Sequence, residues 1–429
     1  MTRVEGVVVA LGSAGDGIVE TPAGNFFVPF VLPGERVRLI VSRDRKGRPR
    51  VERHELLEPI AERSVPRCRH FGRCGGCALQ HLPADSYASW IVRRIETALA
   101  TQGIEAARVR IARPEISPPG ARRRLVLHAL KGRDGRLLLG FHGRASHHLI
   151  DIETCPLARP ALVALLPALR RAMANVLPPR GTADLTLTET GSGIDLLVRA
   201  GALPDYGAIE ELAKLAEDGG LAAVSWSDGG TPETLVQRCE PVVDFAGVPV
   251  TFPSGAFLQA TQEGEAALRR AVLEWVGDAP RVIELFSGLG TFGLPLAASR
   301  KSVLMAEGDR RLVTAVSGAL ERSGMQPCAR VVHRDLFRRP FRPGELDTFD
   351  VMIFDPPRTG AKEQLRELEE ARAPRRIIAI SCNPNTFARD ARILIDKGWQ
   401  LVEIRPVDQF LWSPHLELAA LFEMTGGVR

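Results

Sequence analysis

The hydrophobic pattern changes character twice along the 429 residues. Up to about residue 57, short apolar runs at 4–11, 25–31 and 36–42 predict β-strands. Gly12, Gly15 and Gly17 and the Pro33-Gly34 pair mark turns between them. From 58 to about 255 the periods mix. Residues 85–102 and 160–176 repeat at helical spacing, whereas 125–129, 137–141, 185–188 and 195–199 read as strands around turns at Asp134-Gly135 and 191–193. From 256 to 429, apolar strands at 281–286, 302–306, 329–333, 350–355, 376–381 and 399–406 alternate with helical stretches. That alternation predicts a parallel α/β sheet. Three parts follow: a small barrel over 1–57, an α+β segment over 58–255, of which 82–112 can pack with the last part, and an α/β domain over 256–429.

Composition narrows the class. With 45% hydrophobic and 25% charged residues, the chain has the make-up of a soluble globular protein. It contains no apolar run of about 18 residues that would span a membrane. Its first twelve residues read as a strand rather than a signal peptide, so a cytoplasmic monomer is expected. The net charge of +5 permits a polyanionic partner. Arg43, Arg45, Lys46, Arg48, Arg50 and Arg53 crowd one stretch, and Arg122, Arg123 and Arg124 form a second cluster. A solvated loop accounts for either run alone. Two runs beside a Gly-rich barrel of the OB type favour nucleic acid. The seven cysteines are an odd number, which argues against a disulfide framework and raises metal binding and nucleophilic catalysis instead.

The clearest chemistry lies in the last part. In VIELFSGLGTFG (282–293) a buried strand runs into a glycine turn, where the backbone can approach a ligand closely. Gly288, Gly290 and Gly293 satisfy the dinucleotide spacing, so a nicotinamide cofactor must be weighed. Glu284, just ahead of the glycines, favours S-adenosylmethionine instead. Glu307 ends the next strand, where ribose hydroxyls would sit, and Asp335 follows the third, facing an adenine. FDPPRTG (354–360) follows the fourth strand and ISCNP (380–384) the fifth. Functional groups of open α/β sheets collect at the carboxyl ends of strands, which places Asp355 and Cys382 at one edge with the glycine turn. A cysteine after an apolar strand is often a packing residue, but a Ser-Cys-Asn-Pro turn can expose the thiol. Glu417, in HLELAALF, reads by itself as a structural carboxylate.

Together, Gly288-Leu-Gly290, Asp355-Pro-Pro-Arg358, Ser381-Cys382-Asn383-Pro384 and His415-Leu-Glu417 resemble the RNA uridine-5-methyltransferases that act on ribosomal and transfer RNA. The likeness spans nearly the whole chain, because the first part, with its PGERV turn, resembles a TRAM domain. The resemblance implies a class I, Rossmann-like methyltransferase domain behind an OB-like TRAM β-barrel. It implies Cys382 as nucleophile and Glu417 as proton acceptor. It places Gln259, Phe286, Gly288, Gly290, Thr291, Glu307, Asp335 and Asp355 around S-adenosylmethionine. The chemistry fits: C5 of uracil is a poor nucleophile until a thiolate adds at C6, and a base must then remove the C5 proton. Arg358 is a candidate for stabilising that thiolate. The chain departs from the family at Thr261, where Asn is usual, and between Asp408 and His415, which read QFLWSPH.

Cys68, Cys74, Cys77 and Cys155 form a four-thiol set that suits zinc and a [4Fe-4S] cluster equally. The family's ribosomal RNA branch carries this C-x5-C-G-G-C…C pattern, which implies [4Fe-4S] in the α+β middle domain. Cys239 and Cys328 read as ordinary buried thiols. The expected reaction is methylation of uridine C5 in 23S rRNA. The same reaction on the tRNA T-loop is the second reading, and an RNA-binding relative without catalysis the third. A nicotinamide-dependent oxidoreductase would leave DPPR, SCNP and the barrel without a role.

Overall fold

The computed structural model describes residues 2–44, 46–369 and 373–424. Arg45, counted above in the basic run, lies outside them.

Five antiparallel strands open the chain: Thr2–Leu11, Gly17–Thr21, Gly24–Val28, Arg36–Arg43 and Pro49–Glu58. The outer two, Gly24–Val28 and Pro49–Glu58, approach each other, so the sheet curls into a barrel-like unit around Val8, Val19, Val28, Val37 and Leu39. Two expectations change here. Gly17 starts a strand instead of sitting in a turn, because a side chain on it would meet Val31 Cγ2 at 2.5 Å. The basic run is largely a hairpin and not a loop: Val41 and Val51 pair and pack against the core. Arg43, Arg50 and Arg53 on these strands are exposed.

The middle part is a seven-stranded sheet in the order Leu149–Asp151, Leu137–His142, Arg124–Lys131, Thr182–Thr190, Gly193–Ala200, Leu221–Ser227, Glu233–Gln237. Only Gly193–Ala200 and Leu221–Ser227 run parallel. One face packs on helices Leu166–Val176 and Tyr206–Asp218. The helix expected over 160–176 is two helices, Pro160–Ala164 and Leu166–Val176. Pro167 starts the second, where its missing N–H costs no helical bond.

The last part holds the largest sheet. Its strands are β1 (Arg281–Leu285), β2 (Ser302–Glu307), β3 (Ala329–His333), β4 (Val351–Phe354), β5 (Arg376–Ser381), β6 (Trp399–Asp408) and β7 (Glu417–Met424). Their spatial order is 3-2-1-4-5-7-6. The first five are parallel, as the pattern predicts. The sheet as a whole is mixed, because β7 slots between β5 and β6 antiparallel to both. Its apolar run is covered on both faces, which is the pattern of a central strand.

Two segments from earlier in the chain join this core. Helix Ala84–Thr101 buries Tyr87, Trp90, Ile91 and Ile95 in the same cluster as Phe387, Ala391 and Leu394. Arg110–Ile111 and Glu115–Ile116 extend the sheet beyond β6. The hairpin of Val242–Phe245 and Val248–Thr251 packs Val243, Phe245 and Val250 against Val316 and Leu320. The core of the α/β domain therefore begins ahead of residue 256. Among the described residues, no helix is long and apolar enough to cross a membrane.

Candidate active site

At the carboxyl end of β1 the chain reverses sharply. Phe286, Gly288 and Gly290 have φ of 58°, 55° and 79°, a region that glycine enters at little cost and phenylalanine does not. Glu284 lies beneath the turn, 1% exposed, and accepts the N–H of Gly293 at 2.7 Å. A Cβ on Gly293 would sit 2.4 Å from that carboxylate, so only glycine fits. Burial pushes the Glu284 carboxyl up to about 8, against the pull of the Gly293 and Phe292 amides. Glu307, at the end of β2, accepts from Gly288 N at 2.8 Å with one oxygen and from Gly308 N and Asp309 N with the other. Asp335 accepts from Phe337 N and Arg338 N. The exposed Phe337 ring leans on Phe286 at 5.5 Å between centroids. Thr291 is half-buried within the turn.

The next groups sit at the ends of β4, β5 and β7. Asp355 follows β4, Cys382 follows β5 and Glu417 begins β7. Ser381 pairs with Leu418, and one step further along the antiparallel pair Cys382 comes opposite Glu417. The thiol is half-buried, and Glu417 is 3% exposed. Burial pushes the Cys382 thiol up to about 11, helped by the charges of Glu417 and Asp355 and opposed by Arg358. Burial also raises Asp355, to about 7, while Gln259 pulls it down. Glu417 lies well above the ordinary carboxylate range, from burial first and the Asp355 charge second. Arg358 donates to His415 Nδ1 at 3.1 Å.

Behind these groups is a polar layer. Gln259 Nε2 donates to Asp355 Oδ2 at 3.3 Å. Thr261, the departure noted above, caps helix Gln262–Val276 by accepting the N–H of Gly264. Threonine can make this cap, although it ranks below asparagine, and an alanine there would cost about 1 kcal/mol. Arg123 belongs to this layer and not to the surface. It is 5% exposed, ion-paired with Glu265, and donates to the Gln259 carbonyl. The second basic cluster is therefore partly structural. Gln409 and Tyr87, not singled out in the sequence, also enter this layer. Neither has a local signal, since both act over long sequence separations.

Cys68, Cys74, Cys77 and Cys155 line one cavity of roughly 390 Å³ that also reaches Arg358 and His415. Burial raises the thiols of Cys74, Cys77 and Cys155, and their mutual charges add to it. Arg122 lies near Cys155 and Cys77, with its guanidinium 5.5 Å from the Phe410 ring centre. Among the described residues, no three such side chains close on a point that a single ion would occupy. Right after Cys77, the amides of Ala78 and Leu79 both donate to the Trp412 carbonyl, so this segment is tied to the one preceding Glu417. Cys239 is exposed, donating to the Ser192 carbonyl, and Cys328 is half-buried, so neither is the fully buried thiol expected.

Residues 250–425 match the tRNA (Uracil-5-)-methyltransferase family. A protein of Caulobacter vibrioides described as an RNA methyltransferase is 39% identical, covering 96% of this chain and 98% of its own length. The 23S rRNA (uracil(1939)-C(5))-methyltransferase RlmD of Salmonella typhimurium is 30% identical over 96% of this chain and 94% of its own. The Pyrococcus abyssi tRNA (uracil-54, C5)-methyltransferase, solved with S-adenosyl-L-homocysteine, superposes with a TM-score of 0.75 at 23% identity, covering 97% of this chain and all of that one. The sheet order, the glycine turn and these full-length matches agree that the chain belongs to the S-adenosylmethionine-dependent RNA (uracil-5-)-methyltransferase family.

Proposed function

We propose that this chain methylates C5 of a uridine in 23S rRNA, with Cys382 as nucleophile and Glu417 as base. The observation that carries the reading is the antiparallel β5–β7 register, which brings Cys382 and Glu417 side by side next to Asp355. Bound S-adenosylmethionine supplies an electrophilic methyl group on a sulfonium. The turn fits it: the open side of Gly288 faces no atom within 4 Å, and Glu307 and Phe286 border the turn. Glu307 would hold the ribose, Asp335 and Phe286 the adenine, and Gln259 and Asp355 the charged end. The Cys382 thiolate adds to C6 of the uracil, and the C5–C6 π pair becomes an enolate. C5 attacks the methyl carbon with that pair while the methyl–sulfur bond breaks, its electrons return to sulfur, and S-adenosylhomocysteine is the leaving group. Glu417 then removes the C5 proton, the double bond reforms, and the C6–S bond breaks to release Cys382. Two raised carboxylates in one site suit this role, because a cation bound beside them favours their ionised forms. The uridine must leave its stack to reach Cys382.

The full-length match to a 23S rRNA enzyme favours ribosomal RNA, and the family's own description keeps tRNA as the second reading. Methyl transfer from labelled S-adenosylmethionine to separate pools of unmodified 23S rRNA and tRNA decides between them. Label in 5-methyluridine of the 23S pool is expected. Label in tRNA alone moves the assignment, and label in neither, with RNA still bound, leaves an RNA-binding protein without catalysis.

Cys68, Cys74, Cys77 and Cys155 are proposed to hold a [4Fe-4S] cluster. The four thiols line one cavity, four cysteines are a ligand set for such a cluster, and the likeness of the C-x5-C-G-G-C…C pattern to the ribosomal RNA branch favours it over zinc. The methyl transfer moves no electrons to a metal, so the cluster would brace the segment 68–79. Protein purified without oxygen is expected to carry iron and acid-labile sulfide in equal amounts, lost in Cys77→Ser. Zinc without sulfide would reverse the assignment.

A further inference from the structure

Beside the site, three side chains and one peptide group form a hydrogen-bonded chain with a forced direction. The backbone N–H of Thr261 donates to Gln409 Oε1 at 3.3 Å. Gln409 Nε2 donates to Gln259 Oε1 at 2.7 Å. Gln259 Nε2 donates to Asp355 Oδ2 at 3.3 Å. A side-chain amide can present either end to a neighbour, and the surrounding bonds settle which. Here the first donor is a peptide N–H, which has no acceptor to offer. It turns the oxygen of Gln409 toward Thr261, hence the Gln409 NH2 toward Gln259, hence the Gln259 NH2 toward Asp355. Gln409 and Gln259 are both buried, so neither can exchange these partners for water.

The fold is built around Gln409. A Cβ on Gly264 would lie 2.2 Å from Gln409 Cγ, so the helix start is shaped to admit that side chain. The preceding residue, Asp408, is 0% exposed and accepts from Tyr87 Oη at 2.7 Å and from Phe410 N at 2.8 Å. Tyr87 Oη in turn accepts the N–H of Trp412 at 2.9 Å. The Gln409 backbone is thereby held on both sides.

We propose that Gln409 is a positioning residue. It fixes the Gln259 amide so that Asp355 always receives a donor, which favours the carboxylate form facing the cationic end of S-adenosylmethionine. The proposal rests on reading Asp355 as a cofactor residue. Were Gln259 reversed, its oxygen would face Asp355. Two acceptors would then meet, and Asp355 would take up a proton to bridge them, which removes the charge that attracts the sulfonium and ammonium groups. A donor favours the ionised carboxylate and an acceptor the protonated one.

Two variants of the full chain test this by calorimetric binding of S-adenosylmethionine as a function of pH. Gln409→Met keeps the volume and removes both ends, so Gln259 is free to turn. Binding is expected to weaken about tenfold, the scale of one net hydrogen bond. Gln409→Glu installs a switch. Its acid form still donates to Gln259 and should bind as the unaltered protein does. Its ionised form opposes an oxygen to Gln259 Oε1, so its affinity relative to the unaltered protein at the same pH should fall as pH rises. Simple addition of a negative charge near a cation predicts the opposite sign. Unchanged binding by Gln409→Met, or affinity of Gln409→Glu that rises with pH relative to the unaltered protein, overturns the proposal. Should the methionine variant lack a cooperative unfolding transition, the glutamate variant carries the test, since its acid form keeps every bond. If the unaltered protein binds no S-adenosylmethionine, the reading of the whole site falls, and this proposal with it. If it does bind and the variants match it, only the role of Gln409 falls.

Discussion

Cys382→Ala is expected to abolish methyl transfer, by about 10⁴-fold or more, while binding of S-adenosylmethionine and RNA stays within a few-fold. The size follows from the chemistry. Without addition at C6, C5 has no electron pair to offer, and no other group can take the place of the thiolate. Asp355 and Glu417 are carboxylates, and Ser381 forms a local turn, with its hydroxyl accepting from Asn383 N. The pH dependence has a defined sign. The thiolate is the reacting form, and burial with two neighbouring carboxylates pushes the thiol up to about 11. Single-turnover rates should therefore rise with pH on the side below that value, and Arg358, which pulls the thiol down, should shift the limb to higher pH when replaced by alanine. A Cys382→Ala protein that still makes 5-methyluridine would remove the covalent mechanism.

Glu417→Gln is expected to separate the two halves of the reaction. Glutamine fills the same space but cannot accept the C5 proton. Addition and methyl transfer should proceed, and elimination should stall. The prediction is a methylated, covalent protein–RNA species that survives denaturing electrophoresis, with turnover reduced by roughly 10²–10⁴-fold, the usual weight of a positioned base. Asp355 is the competing candidate for this step, because its charge acts on both Cys382 and Glu417. Normal turnover by Glu417→Gln, or an adduct that accumulates only in Asp355→Asn, would transfer the role.

Much of the α/β domain was legible because its signals are local. The strand at 376–381 stands where its apolar run places it, since a fully buried parallel strand needs a continuous apolar run. The glycine turn was legible for a similar reason, because left-handed φ at Gly288 and Gly290 favours a residue without a side chain. The basic residues were harder to read. Arg43, Arg48, Arg50 and Arg53 lie on or beside a hairpin whose inward Val37, Leu39, Val41 and Val51 are scattered among charged residues. Arg123 sits in the interior because Glu265, 142 residues away, compensates its charge there. An Arg-Arg-Arg run looks the same in either setting.

Which residue types stand at the ends of β1, β2, β4 and β5 is readable from the linear chain, because strand periodicity and the carboxyl-end rule depend only on neighbours along it. The insertion of β7 antiparallel between β5 and β6 comes from the packed fold, and it sets Leu418 opposite Ser381 and so brings Glu417 beside Cys382. The packed fold also decided the direction of the Thr261–Gln409–Gln259–Asp355 chain, whose bonds join residues up to 150 positions apart. Pairing of that kind is a property of packed surfaces and of donors that must find acceptors once water is excluded. Neither has a counterpart in a linear pattern.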